Sequence, residues 1–516
     1  MKNSTLLVAT IILMSSSLVF PARFFAQDGA LDLTFDADGI VTTTIGTSHE
    51  RAFSVAIQSD GKIVAAGNSF NGAVVDFAVV RYNTDGSLDT SFDTDGMVTT
   101  TFSPWDAYGV SAAIQADGKI LVAGNIGNGA NTDFILVRYN SDGSLDSSFG
   151  TDGVVTTGIG TYGDFVYALK IQSDEKIVVA GSSDNGPNDD FALVRYNSDG
   201  SLDMTFSSDG KVTTSIGSAN DVANAMVLQW DGKIVLSGVS YNGSNFDFTL
   251  VRYTANGSLD TGFDSDGKVT TDFGGSHENS YALALQADGK ILAAGGRNNG
   301  TNDEIAIARY NTDGSIDTDF GTDGLQTTNM GLTSCAALSI GIALDGKILV
   351  AGRSTADGDE DVILARYTSQ GALDSSFDTD GIVSTEIGDY DEAANAMAIQ
   401  MDGKIVVAGY SLNGSDNDFA LARYNYTSAV GVNTELNLNS DMVVYPNPCN
   451  GTFFLKNITD NSVISIYDSM GRMVLMQNVN PSGEIILPQQ CSMGVYLIRA
   501  SDGKKHSGES TVFINN

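Results

Sequence analysis

Three charged side chains recur through this chain every 57 residues. An Arg stands before Tyr at Arg81, Arg138, Arg195, Arg252, Arg309, Arg366 and Arg423. An Asp follows Leu or Ile at Asp32, Asp89, Asp146, Asp203, Asp260, Asp317 and Asp374. A Lys ends a short turn at Lys62, Lys119, Lys176, Lys233, Lys290, Lys347 and Lys404. Carboxylates beside cations can do acid–base work. Catalysis needs such a set once per molecule, whereas a structural device is needed once per repeat. The repetition therefore reads as scaffold. The Arg fork is expected to grip a carboxylate bidentately.

Chemistry specific to this chain is sought where the copies differ. Each unit carries two variable loops, and their residues suit contact with a ligand: Trp105, Asp106 and Tyr108; Tyr162 and Asp164; Tyr241 and Phe246; His277; Asp391. Loop aromatics and amides suit carbohydrate or protein contact. Asp106, Asp164 and Asp391 are the carboxylates on which a glycan hydrolase or lyase would draw. His49 and His277 occupy equivalent positions in copies one and five, with no nucleophile–base or metal-ligand spacing around either. Both read as loop residues. The Asp-rich stretch Asp93-Thr94-Asp95-Gly96 matches part of a calcium loop. It lacks the full spacing and the bidentate Glu at position twelve, so turn residues are the expectation and calcium the alternative. No catalytic residue, metal ligand or cofactor is assigned from the sequence.

These residues must be held by short strands. In copy two, Val98-Thr99-Thr100-Thr101-Phe102 is a β-branched run, and Val110 to Gln115 alternates. Asp117-Gly118 then separates it from Lys119-Ile120-Leu121-Val122-Ala123-Gly124, and Asp133 to Tyr139 follows. Asp-Gly between apolar runs is a hairpin signal, because the turn needs positive φ. Each unit thus predicts four strands, and no window shows capped helical periodicity. A solenoid needs atypical end copies. Here the first and last, Phe77-Ala78-Val79-Val80-Arg81-Tyr82 and Phe419-Ala420-Leu421-Ala422-Arg423-Tyr424, resemble the middle ones. A closed ring of seven four-stranded units, a seven-bladed β-propeller over residues 27–425, is the expected fold. Runs such as Ile177-Val178-Val179-Ala180 suit strands covered on both faces. With antiparallel strands, both variable loops open on one face of the ring. The Asp-Gly-Lys turn and the Gly-Ser-Leu-Asp segment, taken as the inter-blade loop, open on the other.

The unit Gly-Ser-Leu-Asp-x-x-Phe, Asp-Gly-x-Val-Thr-Thr, Gln-x-Asp-Gly-Lys-Ile-x-x-Ala-Gly, Arg-Tyr-Asn resembles the bacterial delta-60 repeat, a β-propeller repeat of undefined function. The resemblance implies a propeller and supplies no catalytic residues. Copy three departs from it at Glu175, where the turn Gly is missing.

Residues 1–26 read as a secretory signal: Lys2, then an apolar run from Leu6 to Phe20 that stops at Pro21. No other stretch is long and apolar enough to span a membrane. Residues 426–440 read as a linker. Residues 441–516 hold about six short strand-like runs, the pattern of a small β-sandwich. Within them Tyr445-Pro446-Asn447-Pro448, Ile466-Tyr467-Asp468-Ser469-Met470-Gly471-Arg472 and Gly494-Val495-Tyr496-Leu497 resemble the C-terminal sorting domain of the type IX secretion system. That resemblance implies Sec-dependent export, passage across the outer membrane of a Bacteroidetes-type bacterium by the type IX machinery acting through 441–516, and release or attachment at the cell surface.

With 27 Lys+Arg against 63 Asp+Glu, the net charge of -36 repels nucleic acid and anionic membrane. Of three cysteines, Cys449 and Cys491 share one region, which admits one disulfide, and Cys335 stands apart. The reading is a secreted or cell-surface propeller acting as a binding module for a glycan or protein ligand. The alternative is an extracellular glycan-active hydrolase or lyase.

Overall fold

The computed structural model describes residues 27–426, except 230, 276, 331–333, 344 and 357, and beyond them only the C-terminal strands given below. Among the described residues the regular structure is all strand. Seven four-stranded antiparallel sheets account for residues 40–424. The first strand, β1 (Ile40–Thr43), is followed by β2 (Ser48–Ile57), β3 (Ile63–Phe70), β4 (Val75–Tyr82) and β5 (Met97–Thr100). Strands β2 to β5 form blade 1, with β2 innermost and β5 outermost.

The four strands of a blade are not those of one sequence unit. The first strand of each unit is the outermost strand of the blade before it. The ring closes by the same rule: β1 pairs with Asn417–Tyr424 of blade 7, Ile40 opposite Ala422. The seventh blade therefore has one strand from the start of the chain and three from the end. Closure leaves no unit with an unpartnered face. This also corrects the loop assignment. The variable loop ahead of each innermost strand joins two blades, and the Gly-Ser-Leu-Asp segment lies within a blade. Both variable loops still share one face.

Strands of the β3 and β4 type are buried along nearly their whole length, as in Asp189–Tyr196. Each is covered by a neighbouring blade on both sides, which is why their apolar residues run consecutively. The core is accordingly a set of seams, such as Val64, Val79, Phe92, Ile120, Ile135 and Tyr139 between blades 1 and 2.

The innermost strands carry a β-bulge in every blade. In blade 3 the register of Asp164–Ile171 shifts between Val166 and Ala168, so Tyr167 is the extra residue. A bulge bends its strand and brings its backbone close to the partner. The Gly of each Ala-Gly pair lies there: a Cβ on Gly181 would stand 1.8 Å from the Phe165 carbonyl oxygen. Only glycine leaves room for that approach. Glu175 takes the turn position that Gly fills elsewhere, at a left-handed φ of 63°.

Tyr426 extends the propeller by one residue past the expected boundary. It is buried, and its hydroxyl donates to Asp345 Oδ1 at 2.7 Å. C-terminal to it, Val443–Tyr445, Thr452–Lys456 and Glu484–Ile486 make a three-stranded sheet. Val463–Tyr467, Met473–Asn478, Gly494–Ser501 and His506–Ile514 make a four-stranded one. Leu455 and Ile485 of the first sheet and Ile464, Ile466 and Ile498 of the second are buried. The signal stretch 1–26, residues 427–440, Cys449 and Cys491 lie outside the described residues.

Candidate functional site: the variable-loop face

The repeated charges form fasteners between blades. In all seven copies the Arg Nε lies 2.5–2.9 Å from Oδ2 of the Asp. The expected bidentate grip is not what forms. The Arg meets this Asp through Nε alone, and in six copies Nη1 reaches a backbone carbonyl of the next blade. Arg81 bonds Ser141 O, Arg138 bonds Ser198 O and Arg195 bonds Ala255 O. The guanidinium also lies over a Phe ring, Arg195 over Phe206 at 4.4 Å. The turn Lys completes the group in most copies, as Lys176 does on Asp203 at 2.7 Å. The adjoining Tyr faces the other way. Tyr82 hydroxyl bonds Thr43 of blade 7 and Tyr139 bonds Thr100 of blade 1. The Arg-Tyr pair thus ties each blade to both neighbours.

Burial alone would raise the Asp32 carboxyl. Hydrogen bonds from Lys404 and Thr34 and the Arg423 charge outweigh it and hold the group at about 2. Two shallow crevices of 530 and 410 Å³ open on this face, around Lys119 and Arg138 and around Lys233 and Arg252. They occupy equivalent positions on blades 2 and 4 and so belong to the scaffold.

The opposite face carries the variable loops. Asp106, exposed, accepts the Val75 N–H of blade 1 at 2.8 Å. Asp391 accepts Glu360 N–H at 3.0 Å, and Asn220 accepts Asp189 N–H at 3.3 Å. These equivalent positions brace one blade's loop against the next. His277 occupies the same position, exposed, with its ring 6.0 Å from that of Phe246. Phe246 and Tyr241 are half-buried and meet edge to face at 5.2 Å. Asp164 differs from its expected placement. It is fully buried and accepts Ile159 N–H at 2.7 Å and Gly160 N–H at 3.3 Å, folding its own loop. Asp106, Asp164 and Asp391 belong to three different blade junctions and are not brought together.

The exposed aromatic residues are concentrated on two adjacent blades. Trp105, Tyr108, Tyr162, Phe165 and Tyr167 are between 37% and 52% exposed, all on blades 2 and 3. The other exposed aromatics among the described residues, Tyr281 and Tyr390, stand apart on blades 5 and 7. Trp105 and Tyr162 are propped from beneath by glycines with left-handed φ in the loop of the same blade. A Cβ on Gly129 would meet Trp105 at 2.4 Å, and one on Gly186 would meet Tyr162 at 2.9 Å. No side chain could stand there, so each ring rests one face on backbone. Sequence reasoning found Trp105, Tyr108 and Tyr162 but missed Phe165 and Tyr167 as site residues. Tyr167 is the bulge residue, a position that is also aromatic at Phe53 and Tyr281 and is Val110 or Asn224 in the neighbouring blades.

A second departure from the repeat lies on blades 6, 7 and 1. Arg353 pairs with Glu360 at 2.9 Å, Tyr410 hydroxyl bonds Glu360 at 3.3 Å, and Arg51 stacks over Tyr410 at 4.4 Å. Cation-ligand chemistry is available at one place among the described residues. Asp247, Asp272 and Glu278 bring carboxylate oxygens within 4.8 Å of one another. The loop itself already supplies them with donors, from Asn242, Gly274, Phe273 and Gly275. The Asp93–Asp95 stretch is a turn: Asp93 and Thr94 have positive φ, and Asp95 accepts Met97 N–H.

Ring, fasteners and tail together define an exported seven-bladed β-propeller. A family model described as "Domain of unknown function (DUF5122) beta-propeller" matches residues 58–92, 115–149, 172–206, 229–263, 286–320, 344–377 and 400–426. A model described as "Secretion system C-terminal sorting domain" matches 443–515. The chain belongs to the DUF5122 propeller family, with delta-60-like repeats, and carries the type IX sorting domain that marks it for secretion. No curated protein matches it. Similar solved structures include a protein of unknown function from Dyadobacter fermentans DSM 18053, at 11% identity over 75% of this chain and 100% of that one, with a TM-score of 0.36. Another is polysaccharide lyase Uly1, at 10% identity over 72% and 90%, with a TM-score of 0.42. A third is Chaetomium thermophilum Sqt1 bound to the N-terminus of ribosomal protein L10, at 9% identity over 75% and 100%, also 0.42. No helix among the described residues is long and apolar enough to cross a membrane.

Proposed function

We propose that the propeller is an extracellular binding module whose ligand, a glycan, seats on the aromatic platform of blades 2 and 3. The observation that carries this is the grouping of Trp105, Tyr108, Tyr162, Phe165 and Tyr167 on two adjacent blades of the variable face. Exposed rings are costly in water unless something covers them, and a patch of them marks an interaction surface. Sugar rings present apolar C–H faces that fit such a platform, and propped rings lose little freedom on binding. A non-catalytic role is favoured because Asp106, Asp164 and Asp391 are engaged with main-chain N–H groups at separate junctions. The tail supports delivery by the type IX machinery, with the propeller released or held at the cell surface.

A glycan and peptide array probed with the secreted protein tests this reading. Glycan binding without turnover, lost in Trp105→Ala/Tyr162→Ala, supports it. Turnover of a bound glycan that is lost in Asp106→Asn or Asp391→Asn would establish the enzyme instead. Binding confined to peptides would reject the glycan.

A further inference from the structure

Among the described residues of the propeller, one lysine stands without a partner. Every other Lys and Arg described between residues 27 and 426 has a carboxylate, carbonyl, amide or ring partner. Lys170 has no ion pair or hydrogen bond. It is exposed, yet it sits on Asp164–Ile171, the innermost strand of blade 3. Innermost strands of successive blades contact each other around the ring, so an open side chain there faces the central channel. The equivalent positions hold Ala56, Ala113, Val227, Ala284, Gly341 and Ala398, a ring of small side chains that leaves room for the lysine.

The same strand is open at Phe165, Tyr167 and Lys170 and closed at Asp164, Val166, Ala168 and Leu169. The bulge at Tyr167 sets this pattern. Blade 3 therefore presents two aromatic rings at the variable-face end of its inner strand and an ammonium deeper in the channel. The residue after Lys170 and its equivalents is aliphatic in all seven blades, Ile57, Ile114, Ile171, Leu228, Leu285, Ile342 and Ile399, and packs against the seam cores.

We propose that Phe165, Tyr167 and Lys170 form a channel site for a ring-bearing monocarboxylate, the ring against the aromatic side chains and the carboxylate on the Lys170 ammonium. A carboxylate would give this unpaired ammonium a counter-charge and charge-assisted hydrogen bonds. The surrounding channel desolvates the ammonium and lowers its proton affinity. A single cation suits a single negative charge. Asp189, whose charge is felt at Tyr167, disfavours a polyanion at the entrance. The carboxylate could be carried on a sugar ring or on an aromatic one. The site rests on the inner strand and does not require the glycan platform to be correct.

Isothermal titration of the secreted protein tests the site with glucuronate and phenylacetate, each beside its neutral counterpart, glucose and phenylacetamide. Lys170→Ala installs the residue that four other blades carry, so the fold is retained. Saturable binding of at least one acid is expected, weaker by about tenfold or more for its neutral counterpart and for Lys170→Ala. Glucuronate alone indicates a sugar acid, and phenylacetate alone an aromatic acid. No saturable binding of either acid, or equal affinity in wild type and Lys170→Ala, overturns the proposal. Loss of array binding in Trp105→Ala/Tyr162→Ala leaves this result unaffected.

Discussion

Arg423, in the last repeat, donates from Nε to Asp32, in the first, at 2.7 Å. The two residues are 391 apart in sequence, and both are buried. Lys404 bonds the same carboxylate oxygen at 2.9 Å, and the Arg423 ring partner is Phe35, also from the first repeat. The fastener that repeats within every other blade is here made between the two ends of the propeller. At the neighbouring junction Arg366 uses the Asp28 carboxylate, at 2.8 Å, where other copies use a backbone carbonyl.

Removing one partner of a buried pair leaves the other charge unpaired, which costs about 3–5 kcal/mol. Arg423→Met should lower the stability of the propeller by roughly that amount, measured by chemical denaturation. Arg423→Met combined with Asp32→Asn should cost less than the sum of the single changes. Strict additivity would show that the two residues do not act as a pair.

Tyr424 hydroxyl bonds Thr385 Oγ1 at 2.7 Å across the seam of blades 6 and 7. Tyr424→Phe should destabilise by about 1 kcal/mol, the net worth of one buried hydrogen bond. The same change at Tyr196, which bonds Thr157 across the seam of blades 2 and 3, should cost a similar amount. A much larger effect at Tyr424 would mean that the seam of blades 6 and 7 is weaker than that of blades 2 and 3.

Gly181→Ala should be among the most damaging single-methyl changes in the chain. Its Cβ would meet the Phe165 carbonyl oxygen at 1.8 Å, a backbone atom that cannot swing away. A loss of about 2 kcal/mol or more is expected, in the range of overpacked sites. Because the clash lies opposite the Tyr167 bulge, ligand binding at blade 3 should fall even where the variant folds. Unchanged melting and binding would contradict the bulge geometry.

The seams titrate in opposite directions. Asp32 is held at about 2, below its ordinary 3.8, so its stabilising contribution is present above about pH 3.8 and is lost as pH falls through 2. Glu392 is fully buried, with Oε2 unpartnered. Burial, with the Asp361 charge adding, pushes it to about 7, against N–H bonds from Gly388 and Ile387. Its contribution is present below the ordinary 4.5 and is lost as pH rises through 7. Glu392→Gln should therefore raise the melting temperature at pH 8 and give no gain at pH 4. A gain of equal size at both values would show that the carboxyl is not proton-linked to folding.

Much of the ring was legible because periodicity and strand pattern are local. The Asp-Gly turns, the doubly buried Ile-Val runs and the regular ends sufficed for seven blades. The exchange of β1 into blade 7 was not legible, because a 57-residue repeat has no marked beginning and any phase fits it equally. The single-nitrogen grip of Arg195 on Asp203 was hidden as well, since Nη1 has a partner, Ala255 O, that depends on the packing of two blades. The Ala-Gly motif was visible, but its cause, the bulge at Tyr167, lies on another strand. That bulge also opens Tyr167 to the surface, which strand alternation alone does not reveal. Asp164 looked like an exposed loop acid, and only its N–H partners reveal a buried one.

The most direct test of the account exchanges platform residues for their counterparts in blade 4. Trp105→Ala and Tyr162→Ala install the type found at Ala219, and Tyr108→Val and Phe165→Val the type found at Val222. The combined variant should be secreted, melt within a few degrees of wild type and lose at least ~30-fold in affinity for the glycan identified on the array, about 0.5–1.5 kcal/mol per ring. Unchanged affinity in a folded variant would contradict the claim that the unrepeated aromatic face of blades 2 and 3 is where this propeller binds.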